Sequence, residues 1–266
     1  FNIARSLETM TEFHKKIASS IKNYHNEIIE FIQSAIHLPS LANNEGPVQE
    51  LIAKKLSSFD LHVDHVPIYF ETIKEHPAFY DDGFSPDSRY NIVGSWNNNG
   101  NGRSLILNGH VDVVPTGHQE NWSGSPWSGS INKDRIYGRG TCDMKAGLIS
   151  GIYAVKILKE SGFKPNGSVQ IQSVVGEESG GCGTLTNIVK GYTADGAIIL
   201  EPTSLSICPI QSGALTFRII INGRATHAAT RWEGISAIEK FELVHQAILG
   251  LEKDRHKSFQ IKYYEN

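Results

Sequence analysis

One histidine and several carboxylates stand where apolar runs of this chain stop. Leu105-Ile106-Leu107-Asn108-Gly109 delivers His110 and, two residues on, Asp112, with Pro115 closing the stretch. Ser168 to Val175 leads into Gly176-Glu177-Glu178-Ser179-Gly180-Gly181, and Ala197-Ile198-Ile199-Leu200 leads into Glu201-Pro202-Thr203. Between them, Gly140-Thr141-Cys142-Asp143-Met144-Lys145 places an aspartate just before a helical pattern. Clustered carboxylates repel one another and are costly to desolvate unless a cation compensates them. A mixed nitrogen and oxygen donor set suits zinc, or another divalent first-row ion, better than calcium.

Each of these residues also has a plainer explanation. His110 could be a satisfied core histidine, and Asp143 could cap the helix that follows it. Glu177-Glu178 could be a solvated pair in a loop, and Glu201 before proline could mark only a strand end. A second His-Val-Asp tripeptide, His62 to Asp64, provides a control. It lies in an alternating run, Leu61 to Val66, that reads as an edge strand with both polar residues solvated. A bare H-x-D is therefore weak, and its position after a buried run carries the argument.

The elements that must position these residues follow from periodicity. Apolar residues at helical spacing, Phe13 through Ile32, predict a helix from about Thr9 to Ile36, stopped at Leu38-Pro39. A second helix opens at Gly46-Pro47 and runs to Leu56. Tyr90 to Trp96 and Ser104 to Asn108 read as strands joined by a turn at Asn97 to Gly102. Glu71 to Arg89 reads as a polar surface loop, and Thr116 to Ser130 as an ordered loop beside the site. Ile131 to Tyr137 reads as a hairpin around Lys133-Asp134, and Met144 to Lys159 as a helix. Apolar runs without alternation predict strands buried on both faces, and such sheets bind ligands beyond their carboxyl ends. The expected fold is α/β, a three-layer sandwich around a mostly parallel sheet, over residues 1–211. After Ile210 the character changes. A β-rich run from Ala214 to Ile221, a helix from Gly234 to Leu251 and a strand from Phe259 to Tyr264 predict the start of a smaller domain over 212–266.

The chain has 266 residues, 39% of them hydrophobic, enough for one large domain or two modest ones. With 25 basic and 28 acidic residues the net charge is -3, so neither a nucleic-acid nor a membrane partner is expected. No apolar stretch reaches membrane-spanning length, and no secretory leader is visible, although Phe1 is not an initiator. Three cysteines, Cys142, Cys182 and Cys208, form no disulfide framework and favour a reducing, cytoplasmic setting. Cys182 reads as a small filler in a tight turn.

Taken together, His110-x-Asp112, Gly140-x-x-Asp143-Met144-Lys145, Glu177-Glu178-x-x-Gly181 and Glu201-Pro202-Thr203 resemble the acetylornithine deacetylase and succinyl-diaminopimelate desuccinylase family. That family also includes aminoacylases, dipeptidases and glutamate carboxypeptidases with two metal ions. Gly223-Arg224-Ala225-Thr226-His227-Ala228 resembles its lid-domain histidine motif. The resemblance implies a zinc-exopeptidase-like catalytic domain, a ferredoxin-like α+β lid and a homodimer formed through that lid. It implies two zinc ions, with cobalt or manganese as alternatives. His110, Asp143, Glu178 and Glu201 would be metal ligands, Asp143 bridging, and the Asp143-Met144 peptide would be cis. Glu177 would be the general base, Asp112 would hold the His110 ring from behind, and His227 of a partner subunit would stabilise the oxyanion. Arg231 is a candidate for a substrate carboxylate. The family's last metal-binding histidine is expected downstream of Asn266; His256 is a poor substitute. The implied reaction is hydrolysis of a small N-acyl or N-formyl amide, with a dipeptidase or carboxypeptidase as the runner-up. A non-catalytic binding relative, or an inactive fragment, is the alternative of another class.

Overall fold

The computed structural model describes residues 11–97, 100–211, 213 and 217–258. The chain forms two compact units, Phe1–Ile207 and Cys208–Asn266.

The first unit is organised by a five-stranded sheet. Its strands are β1 (His62–Pro67), β2 (Tyr90–Trp96), β3 (Leu105–His110), β6 (Val169–Val174) and β7 (Gly196–Ile199), in the order β1-β2-β6-β3-β7. A separate hairpin pairs β4 (Ser130–Asn132) with β5 (Arg135–Tyr137), turning at Lys133 as its positive φ of 55° allows. The longer helices are α1 (Glu12–Ile36), α2 (Gly46–Ser58), α3 (Ala146–Glu160) and α4 (Cys182–Val189), and a single helical turn, Phe70–Ile73, opens the stretch expected as a surface loop. Thr11 caps α1 by accepting from the His14 N–H, and Pro47 occupies the first turn of α2.

The sheet is mixed but mostly parallel in direction: β1, β6, β3 and β7 run one way and β2 alone runs against them. β6, β3 and β7 run parallel, but β1 pairs antiparallel with β2, and β2 with β6. β2 and β3 are consecutive in sequence yet not neighbours, because β6 lies between them. The physical reason is the crossover through α3. A parallel partner for β3 cannot arrive by a tight turn, so the chain returns through a helix and inserts β6 beside β3.

Helices cover both faces. Gly94 of β2 lies against Leu56 of α2, and Gly109 of β3 lies against Met144 and Leu148 at the start of α3, on the apolar face shared with Ile92, Leu107 and Ile171. The opposite face carries buried amides. Asn91 Nδ2 donates to Gly183 O at 2.8 Å and to Asn187 Oδ1 at 2.7 Å, both on α4, and Asn187 Nδ2 donates to Gln172 Oε1 at 3.2 Å. The core of Ile36, Ile52, Leu56, Ile92, Leu148, Ile152 and Tyr153 is almost inaccessible to solvent. β1 is the expected edge strand. Of its control pair, His62 is solvated, its side chain 69% exposed with Nε2 3.2 Å from Asp64, whereas Asp64 is partly buried and accepts from the Tyr192 hydroxyl at 3.2 Å.

The second unit contains α5 (Ala237–Ser258) and a 3-10 turn at Ala228–Glu233 capped by His227. A lone antiparallel bridge joins Arg224 to Ile235. Of the expected strand at Ala214 to Ile221, the first three residues lie outside the described ones, and Phe217 to Ile221 belong to no strand. The expected strand from Phe259 to Tyr264 also lies outside them. A ferredoxin-like lid is thus not seen among the described residues, since an isolated β-rich segment gains nothing from extended backbone without a paired edge.

Candidate metal centre

Three parallel strand ends and one turn converge. β3 ends at His110, β6 runs into the Gly176 to Gly181 turn, β7 leads to Glu201, and Asp143 occupies the turn Thr141–Lys145 that precedes α3. The Asp143-Met144 peptide is cis, as the resemblance implied.

His110 is buried at the centre. Its Nδ1 faces the backbone carbonyl of Asp112 at 2.9 Å. A carbonyl can only accept, so Nδ1 carries the proton and Nε2 is left to face the site. Nε2 stands 3.0 Å from Asp143 Oδ1, 3.5 Å from Glu201 Oε1 and 3.8 Å from Glu177 Oε2. Two overlapping donor sets result. His110, Glu177 and Glu201 form one, and His110, Asp143 and Glu178 the other, with the donor atoms of each set within 4.8 Å of one another.

The electrostatics describe carboxylates held too close together. Burial raises the Glu201 carboxyl to about 7, with Asp143 and Glu177 adding to the rise and His110 opposing it. Glu177 and Glu178 are raised too, first by burial and then by neighbouring carboxylates, again against His110. Burial opposes charge on His110, but Asp112, Glu177 and Glu201 outweigh it and raise its pKa. Protons are thus favoured where a cation would relieve the same repulsion. One imidazole nitrogen and four carboxylates make a donor set that fits divalent first-row metals.

Asp112 stands on the Nδ1 side of the His110 ring, with its main-chain carbonyl nearer than its carboxylate. Its Oδ1 is 3.7 Å from Nδ1, and the ring is anchored by its main-chain carbonyl. The carboxylate, 2% exposed as a residue, accepts the backbone N–H of Glu177 at 3.2 Å and of Glu178 at 3.0 Å. It fixes the turn that presents both glutamates. Ser40 in turn holds the Asp112 segment, donating from Oγ to Val111 O at 2.6 Å and accepting Val113 N–H at 3.1 Å.

Lys145, two residues after Asp143, is also buried. Its Nζ donates to Ala35 O at 2.9 Å and Leu38 O at 3.1 Å, tying the end of α1 to the Asp143 turn. Burial pulls its pKa down to about 7, opposed by Asp112, while the two carbonyls favour the ammonium form. Arg89, Glu45 and Asp82 are further buried charges that sequence reasoning missed. His227 and Arg231 belong to the second unit. His227 Nδ1 accepts from Ala229 N–H, which leaves the ring proton on Nε2, and Arg231 pairs with Glu239.

The sequence of residues 106–262 matches the model of peptidase family M20/M25/M40. The chain belongs to this family. The family's match runs through every motif of the cluster. A probable succinyl-diaminopimelate desuccinylase of Staphylococcus aureus (strain Mu50) is 30% identical over 216 residues, 80% of this chain and 49% of that protein. An N-formyl-4-amino-5-aminomethyl-2-methylpyrimidine deformylase of Bacillus subtilis is 30% identical over 264 residues, 93% of this chain and 57% of that protein. The chain spans about half the length of these curated relatives. Among solved structures, human carnosine dipeptidase 1 aligns with a TM-score of 0.58 at 16% identity, over 70% of this chain and 40% of that one. At that identity the likeness concerns the fold.

Proposed function

We propose that this chain carries the catalytic metal centre of a zinc-dependent hydrolase that removes an acyl group from the nitrogen of a small amine or amino acid. The observation that carries this reading is the convergence of His110, Asp143, Glu177, Glu178 and Glu201 on one volume bounded by strand ends. The names of the relatives, a desuccinylase and a deformylase, support N-acyl or N-formyl substrates over peptides.

In this reading His110, Asp143, Glu178 and Glu201 would hold the divalent cations. Bound there, such ions polarise an amide carbonyl and lower the pKa of water. Glu177, half exposed beside His110, accepts the proton of the attacking water and passes it to the departing nitrogen. Asp112 keeps Glu177 and Glu178 at their stations through the turn's amides. His227 offers its Nε2–H to the developing oxyanion, in a homodimer assembled through the second unit. A substrate carboxylate at Arg231 would have to displace Glu239.

The donor sets support a second role for Glu177, that of a ligand, because it groups with His110 and Glu201. Glu177→Ala separates the two. As a general base, its loss lowers hydrolysis at least about a hundred-fold while zinc content is kept; as a ligand, its loss takes zinc with it. Initial rates on N-acetylornithine, N-succinyl-diaminopimelate, an N-formylaminopyrimidine and several dipeptides test the substrate class. Faster turnover of the dipeptides than of every N-acyl compound would overturn the deacylase reading.

A further inference from the structure

The segment from Tyr80 to Arg89 has the composition of a surface loop, yet three of its side chains grip one face of the Gly176 to Gly181 turn. Arg89 is the first. Its side chain is 1% exposed, its Nε donates to Glu45 Oε1 at 3.1 Å, and its Nη1 donates to Asp82 Oδ2 at 3.1 Å. The guanidinium lies flush against Gly176, where a Cβ would sit 2.6 Å from Nη2 and the φ of +71° already disfavours a side chain. Asp82 is the second. The same Oδ2 that accepts from Arg89 accepts from Ser179 Oγ at 2.8 Å. Tyr80 is the third, its ring against Gly180, where a Cβ would meet Cδ1 at 2.7 Å.

Stability alone is a poor reason for this arrangement. Two carboxylates and one guanidinium are withdrawn from water here, and such groups are commonly replaced by apolar residues without loss of stability. What the ion network does provide is direction. It fixes Ser179 from behind, while the Asp112 carboxylate fixes the Glu177 and Glu178 amides from another side.

We infer that Arg89, Asp82 and Ser179 form a positioning clamp that sets where the Glu177 and Glu178 carboxylates stand, and thereby tunes cation affinity at this site. Neither residue of the 80–89 segment is a ligand; both act through Ser179 and the turn. The inference rests on the reading that the turn faces bound cations.

Ser179 is the residue to change, because it is uncharged and its loss strands no buried ion beyond those already paired. The full chain, stripped of metal, is titrated with Co2+ and followed by visible absorption. Ser179→Ala should weaken Co2+ binding by about 10-fold to 100-fold and alter the absorption band, as changes behind metal ligands do. Its metal-free melting temperature should stay within a few degrees of the parent. Ser179→Thr, which keeps the hydroxyl, should restore the parent affinity and band, whereas Asp82→Ala should reproduce the Ser179→Ala defect. If the parent binds Co2+ while Ser179→Ala and Asp82→Ala bind it with the same affinity and spectrum, the clamp is wrong and the metal centre stands. If the parent binds no Co2+, both are overturned.

Discussion

Replacing Asp112 by asparagine separates two explanations of what that residue does. In the structure its two oxygens serve two amides, Glu177 N–H at 3.2 Å and Glu178 N–H at 3.0 Å. An asparagine can satisfy one of them; the other then faces an NH2 group. A hydrogen bond to a charged acceptor contributes about 1.5–3 kcal/mol, and the orphaned amide carries a further penalty. Against this, burial raises the Asp112 pKa, so the carboxylate costs free energy that a neutral amide does not. The net loss should be about 1–2 kcal/mol, or a melting temperature lower by roughly 2–8 °C for a chain of this size. Cation affinity should fall about 10-fold to 100-fold, because the turn presenting the glutamates loses an anchor. The His110 ring keeps its own anchor, the residue-112 carbonyl, in the variant. Thermal melts of the metal-free protein and zinc titration against a competing chelator measure both quantities. Unchanged melting and unchanged affinity would refute the reasoning; so would Glu177 and Glu178 amides that exchange with deuterium at the parent's rate.

Gly147→Ala should destabilise by about 1–3 kcal/mol in denaturant melts, because the new Cβ would collide with the Leu200 carbonyl oxygen, which has no rotamer by which to yield. That loss outweighs the roughly 1 kcal/mol that alanine normally gains over glycine in a helix, so a stabilised variant would show that α3 is free to shift. Cys182 is buried and its thiol is pushed up to about 11 by burial, so at pH 8 an alkylating reagent should modify the exposed Cys142 and Cys208 and spare Cys182 until the chain unfolds. Zinc should stabilise more as pH rises. Glu177, Glu178 and Glu201 have raised pKa values in the fold, Glu201 near 7. Their contribution is present below the ordinary glutamate range and lost as pH climbs through the folded values. The gain in melting temperature on adding zinc should therefore be larger at pH 8 than at pH 5.5; a gain that shrinks with pH contradicts the assignment.

The cluster was legible because apolar runs announce strands and the residues that end parallel strands share one rim, although β7, expected to be buried, is exposed along its length. His110, the Glu177-Glu178 pair and Glu201 follow from that rule, whereas Asp143, in the turn before a helix, and the choice of ligands came from the family resemblance; the surface placement of His62 shows the rule discriminating between identical tripeptides. The partners of the cluster were not legible. Nothing in the local pattern tells a buried Arg89 from a surface one, because its burial depends on Glu45 and Asp82 arriving from other parts of the chain. The further contacts of the Asp112 carboxylate were hidden for a related reason. Sequence gives proximity to His110, but only the fold brings the Glu177 and Glu178 amides within reach. The placement of β6 between β2 and β3 was hidden as well, since strand order is decided by a crossover and not by any residue in the strands.

Anomalous diffraction from crystals grown with zinc tests the metal centre most directly. Two peaks about 3.5–4 Å apart are expected, with Asp143 between them, His110 at one of them, Glu178 completing one shell and Glu201 the other, and Glu177 turned toward the space beside them. Zinc that is absent from this volume at saturating concentration, or bound by residues other than these, would contradict it.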